Sequence, residues 1–136
     1  RTRLRLTNAE IFDLCLTAYR ACQLQMQGRP AATSAGGFRA RRTYGNAGAE
    51  FCADFRRTAE QVIAKQPSSR GRLKLWTAYY VENHRFKEAR IRVGVSPSTS
   101  AFWLKEIAWH TGAALRKRRI KPPGGYFFWL IQGDHQ

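Results

Sequence analysis

Four consecutive residues, Gly94-Val95-Ser96-Pro97, constrain the fold of this chain more than any others. Before them, Phe86, Ala89 and Val93 recur at spacings of three and four, which gives a short helix one apolar face. Gly94 ends that helix, because glycine enters the left-handed region without a Cβ penalty. Val95 plugs the corner. Ser96 then offers an oxygen to the free amides of a second helix, and Pro97 takes its first position, where proline is favoured. The pattern predicts a helix-turn-helix.

The flanking sequence supplies further helices. Thr7 or Asn8 caps the first, with Glu10 placed to complete a capping box with Thr7. Ile11, Cys15, Ala18 and Cys22 run along one side of it, and Phe12, Leu16 and Tyr19 widen that face. The helix reaches Gln27 and stops at Gly28-Arg29-Pro30. A Gly-, Ala- and Arg-rich segment over 28–48 is predicted as a loop. A second helix follows from Ala49 to Lys65, buried through Phe51, Cys52, Phe55, Ala59, Val62 and Ile63. A third, from Arg70 to Asn83, carries Leu73, Trp76 and Tyr80 on one side and Leu75 and Tyr79 on the other. The fifth, from Pro97, runs to the basic stretch at 116–121, with Gly112 as a weak point. With 136 residues and 43% hydrophobic content, such a chain can bury one core. The expected class is all-α: a compact helical domain of about five helices. Its expected divisions are a basic arm and first helix (1–27), the loop (28–48), a helical domain (49–121) with the helix-turn-helix at 86–111, and an apolar tail (122–136).

The central stretch is similar to the promoter-reading region 4 of sigma-70 family transcription factors, whose typical run is Y-V-E-G-x-S-Y-x-E-I-A-x-x-L-G-I-S-P-G-T. Without a gap, Tyr80, Val81, Glu82, Glu88, Gly94, Ser96, Pro97 and Thr99 match it, and Phe86, Val93 and Val95 are conservative replacements. The Y-Y-V-x-x-x-x-F portion also resembles phage Q-type antiterminators. Two departures stand out. The family keeps a small alanine four residues before the glycine, where this chain has Arg90, and Ala89 beside it is the substitute. Phe102 and Trp103 fall on a face that usually meets the major groove, so that face either packs on this chain or binds protein.

The net charge of +15 makes nucleic acid the leading partner, since such a surface repels itself unless it meets a polyanion. The fourth helix carries Arg85, Lys87, Arg90 and Arg92 as candidate phosphate contacts. What the resemblance implies for base-edge or phosphate contact are Ser96, Ser98, Thr99, Ala101 and Lys105. Arg116, Lys117, Arg118 and Arg119 form a second basic cluster, and Arg39, Arg41 and Arg42 a third, placed among aromatics that suit base stacking. Phe102, Trp103, Phe127, Phe128 and Trp129 are the candidate protein contacts, with RNA polymerase as the partner the resemblance implies. No apolar run has membrane-spanning length, so no membrane partner is expected.

Cys15, Cys22 and Cys52 lack C-x-x-C spacing, and each falls in a helical apolar pattern. They read as buried core residues in a reducing, cytoplasmic setting, nucleoid-associated if the chain is bacterial or phage. His84, His110 and His135 sit beside no nucleophile or metal-ligand spacing, and no cofactor motif appears. The reading is therefore a binding protein and not an enzyme: a DNA-binding transcription factor. The alternatives are a basic structural subunit of a ribonucleoprotein, threading RNA with its Arg-rich arms, and an adaptor that binds protein through its aromatic helix.

Overall fold

A computed structural model describes residues 6–26 and 34–123, with side chains at 6–24 and 47–123. Every regular element in this range is helical: α1 (Asn8–Met26), α2 (Ser34–Ala64), α3 (Ser69–Trp76), α4 (Phe86–Val93) and α5 (Pro97–Arg118), with a π-helical turn at Thr77–Val81 continuing α3. The chain is all-α over the described residues. The arm at 1–5 and the tail at 124–136, including Phe127, Phe128 and Trp129, lie outside them.

Capping chemistry sets the start of α1. The Thr7 amide donates to Glu10 Oε1 at 2.8 Å and the Glu10 amide donates to Thr7 Oγ1 at 3.1 Å, so two otherwise free donors are satisfied reciprocally. The predicted faces of α1 and α2 then meet. Phe12, Tyr19, Phe55 and Trp76 are all buried. Their rings form a continuous aromatic cluster centred on Phe55, whose centroid lies 5.0 Å from Tyr19 and 5.9 Å from Phe12, Phe51 and Trp76. Edge and tilted packing at these separations adds to the burial of large apolar area. Leu104, Ile107 and Leu115 of α5 close the core from the other side.

Two sequence expectations need correction here. The 28–48 segment is not a loop throughout, because α2 begins at Ser34. Alanine and arginine are strong helix formers, and a helix already anchored at Phe51 extends backwards without a new nucleation step. Arg39, Arg41 and Arg42 lie in this helical backbone, and their side chains are outside the described set. Nor does Leu73 join the core: it is 40% exposed, and α3 turns Arg72, Leu75 and Trp76 inward instead.

The three cysteines are buried free thiols. Burial pushes Cys15 and Cys52 up from 9.0 to about 12 and raises Cys22 as well. A thiol whose folded pKa is raised stabilises the fold below its unfolded pKa. That contribution is lost as pH climbs from about 9 towards 12. We therefore expect no reaction of the folded chain with an aromatic disulfide reagent at pH 8, and three equivalents after denaturation. Unfolding free energy should decline as pH rises above 9. Rapid labelling of the native chain would contradict this packing.

Candidate nucleic-acid interface

The corner between α4 and α5 is built as its residues dictate. Gly94 caps α4 at φ 82°, ψ 36°, and its amide donates to the Arg90 and Ile91 carbonyls at 2.8 and 3.1 Å. Ser96 stands extended ahead of α5 and accepts the Thr99 amide at 3.2 Å, with Pro97 following. The Ser96 hydroxyl is therefore a structural cap. Ala89 is wholly buried on the α4 side and Ser100 on the α5 side, so small residues line both helices at the crossing. Arg90 is half-buried at the position where the sigma pattern has alanine, and Ala89 takes the interior place instead.

Behind the corner, the π turn has a visible purpose. The Glu82 amide donates to the Thr77 carbonyl at 2.8 Å, the i→i+5 bond of a widened turn. The extra residue sends adjacent tyrosines to different neighbours. Tyr80 packs on Trp76 at 5.1 Å and Phe12 at 5.5 Å, while Tyr79 packs on Phe86 of α4 at 5.9 Å. Burial pushes the Tyr80 phenol up to about 12, as its place against the core rings requires. The supporting helix thus holds α1 with one ring and α4 with the next.

The outward faces carry the charge. Arg85, which caps α4, and Lys87 and Arg92 within it are exposed, with Glu88 among them; Ser98, Ala101, Phe102, Lys105 and Trp109 of α5 are exposed, and Thr99 is half-buried. His84 lies between the carboxylates of Glu82 (3.3 Å) and Glu88 (3.8 Å), so the acidic groups collect at the start of α4. The remaining basic candidates form a separate group. Lys117 lies 18 residues beyond Thr99, about 27 Å along the helix axis. Two of this distal group are tied to the fold: Arg116 donates to the Leu6 carbonyl at 2.5 Å and Arg118 to Thr58 Oγ1 at 3.2 Å. Lys117 and Arg119 are exposed.

One residue of this region gave no sign in the sequence. Arg72 of α3 is only 3% exposed, pairs with Glu106 Oε1 at 2.8 Å and donates to Gln66 Oε1 at 3.1 Å. Its guanidinium also lies 5.6 Å from the Trp103 ring centre and 6.0 Å from that of Phe102. Trp103 therefore packs on the supporting helix, whereas Phe102 stays 53% exposed above the same cation. A hydrophobic spacing pattern cannot flag a buried arginine.

Two open clefts lie off this face. One, of about 430 Å³, is lined by Glu50 and Asp54 of α2 and by Arg118–Pro123; the other, of about 420 Å³, by Val62, Lys65, Gln66, Pro67, Glu106 and His110. Both mix charges of each sign. Among the described residues no three His, Cys, Asp or Glu side chains gather as metal donors, and no helix is long and apolar enough to cross a membrane. Comparison with known protein families, characterised proteins and solved structures finds no match to this chain.

Proposed function

We propose that the chain binds duplex DNA through the α4–α5 corner and acts as a transcription factor in a cytoplasmic setting. The observation that carries this reading is the corner itself. A left-handed glycine cap, a serine N-cap and two small buried residues brace α5 so that Ser98, Ala101 and Lys105 face outward beside the basic side chains of α4. In this reading the first turns of α5 enter the major groove. Arg85, Lys87 and Arg92 then contact phosphates, fixing register without reading bases. Ser98, Thr99 and Lys105 supply single contacts and no bidentate pair, so sequence preference is modest. RNA polymerase is the protein partner that the likeness to sigma region 4 implies.

The test is fluorescence anisotropy of the chain with matched duplex DNA, single-stranded DNA and structured RNA across a salt series. Duplex should bind tightest, and Thr99→Ala/Lys105→Ala should weaken it by about tenfold. Each of Arg85→Ala, Lys87→Ala and Arg92→Ala should reduce the slope of log affinity against log salt by about 1. Preference for RNA that these substitutions leave unchanged would make the helix-turn-helix a scaffold and favour a ribonucleoprotein subunit.

A further inference from the structure

The outward stripe of α5 runs on well past its first turns. Ser98, Phe102, Lys105 and Trp109 recur at spacings of four, three and four, and all are exposed, which places them on one side of the helix. The reading above puts the first turns of α5 in the groove, and Trp109 stands about 18 Å along the axis from Pro97, with half its surface open.

We infer that Phe102, Lys105 and Trp109 form a stacking platform for unpaired bases, so that the preferred ligand is a duplex carrying a single-stranded extension. This rests on the duplex reading above and specifies its ligand further. Three observations favour it. First, Phe102 and Trp109 are 53% and 50% exposed on one side of the helix, two turns apart, about 10.5 Å. That is three times the roughly 3.4 Å step along one strand of a stacked duplex, so the rings suit separated bases and not neighbours within a stack. Second, the charge is complementary to a phosphate chain: Lys105 is exposed and lies between the two rings along the helix. Third, the chain as a whole carries a net charge of +15, which favours a polyanion over a second copy of the chain as the partner.

Arg72 acts as a positioning residue in this arrangement. Held by Glu106 and Gln66, its guanidinium lies 5.6 Å from the Trp103 ring centre and 6.0 Å from that of Phe102, so it backs the turn of α5 that presents Phe102. An ordered aromatic face loses less freedom when a base stacks on it.

The experiment compares a blunt duplex with the same duplex bearing a short thymine overhang, read by anisotropy and by tryptophan emission. The extension should tighten binding at least fivefold and quench emission. Trp109→Ala and Phe102→Ala should each remove most of that gain, while Trp109→Phe keeps the affinity gain and loses much of the quenching. Blunt-duplex affinity should be unchanged by Trp109→Ala, and circular dichroism checks that each variant is folded. Equal affinity for the blunt and extended duplexes would overturn the inference, as would a gain that survives both alanine substitutions. The readings fail separately: loss of duplex preference over RNA sinks the duplex reading, whereas blunt binding without overhang gain sinks only the platform.

Discussion

Gly112→Ala is expected to destabilise the fold by about 2–3 kcal/mol, although the substitution improves helix propensity by about 1 kcal/mol. Gly112 lies buried in α5 where the start of α1 crosses it. A Cβ added there would stand 1.9 Å from the Asn8 carbonyl oxygen, 2.7 Å from its carbon and 3.1 Å from its Cα. These are backbone atoms, so no side-chain rotation relieves the clash. The end of α1 cannot simply retreat either. The Thr7–Glu10 capping box holds its first turn, and one turn further along α5 Arg116 donates to the Leu6 carbonyl. Parting the helices would open the core around Ile11, Ile107 and Leu115, all wholly buried. Urea denaturation followed by circular dichroism measures the loss, and a fall in Tm of roughly 6–12 °C should accompany it. Gly71→Ala is the internal comparison. Its Cβ would meet only the outer edge of the Trp103 ring, at 3.0 and 3.1 Å, and a ring can tilt. A change within about 1 kcal/mol is expected there. If Gly112→Ala were as stable as the parent, the α1–α5 crossing described here would be wrong.

Gly112 also marks where local sequence stops being informative. Signals that act over three or four residues are legible in the chain: the Thr7–Glu10 box, the Gly94 cap and the Ser96-Pro97 start all have the predicted geometry. So are the apolar faces of α1 and α2, because burial follows a helical period. Nothing near Gly112 reveals that Asn8, more than a hundred positions earlier, passes so close. The helical start of α2 was hidden by glycines that lower propensity and alanines that raise it, and the rest of the helix decided the balance. The π turn depends on where Tyr79 and Tyr80 find partners, which is a property of the assembled core.

The candidate site divides along the same line. Arg85, Lys87 and Arg92 could be nominated as basic residues of the helix-turn-helix and Ser98 and Lys105 from the likeness to sigma region 4, and all five are exposed. The distal arginines could not be sorted that way. Arg116 and Arg118 look like free cations in a basic run, yet their partners are a carbonyl on the segment leading into α1 and a hydroxyl on α2. Phe102 and Trp103 are adjacent and chemically alike, and only the position of α3 separates the packed ring from the half-exposed one.

Glu106→Ala is expected to cost more than Arg72→Met, about 2 against about 1 kcal/mol, though both break the same ion pair. The asymmetry comes from burial. Arg72 is 3% exposed, while the Glu106 side chain is 35% exposed. Removing Glu106 leaves the guanidinium inside the protein with Gln66 as its remaining hydrogen-bond acceptor, and its Nε already lacks a partner. Removing Arg72 leaves a carboxylate that water can reach, and methionine refills most of the apolar space beside Trp103. The double variant should therefore be more stable than Glu106→Ala alone, with a coupling energy of about 1.5–2 kcal/mol in a double-mutant cycle. Tryptophan emission, to which Trp103 contributes as one of four, gives an independent readout: it should shift in Arg72→Met, which frees the Trp103 ring from its cation, and less in Glu106→Gln, which preserves shape. Additive losses would mean that the pair contributes no more than an exposed salt bridge. Coupling of the expected size would make this buried contact a determinant of how the aromatic side of α5 is held, and Arg72→Met should then weaken capture of a single-stranded extension while leaving blunt-duplex affinity intact.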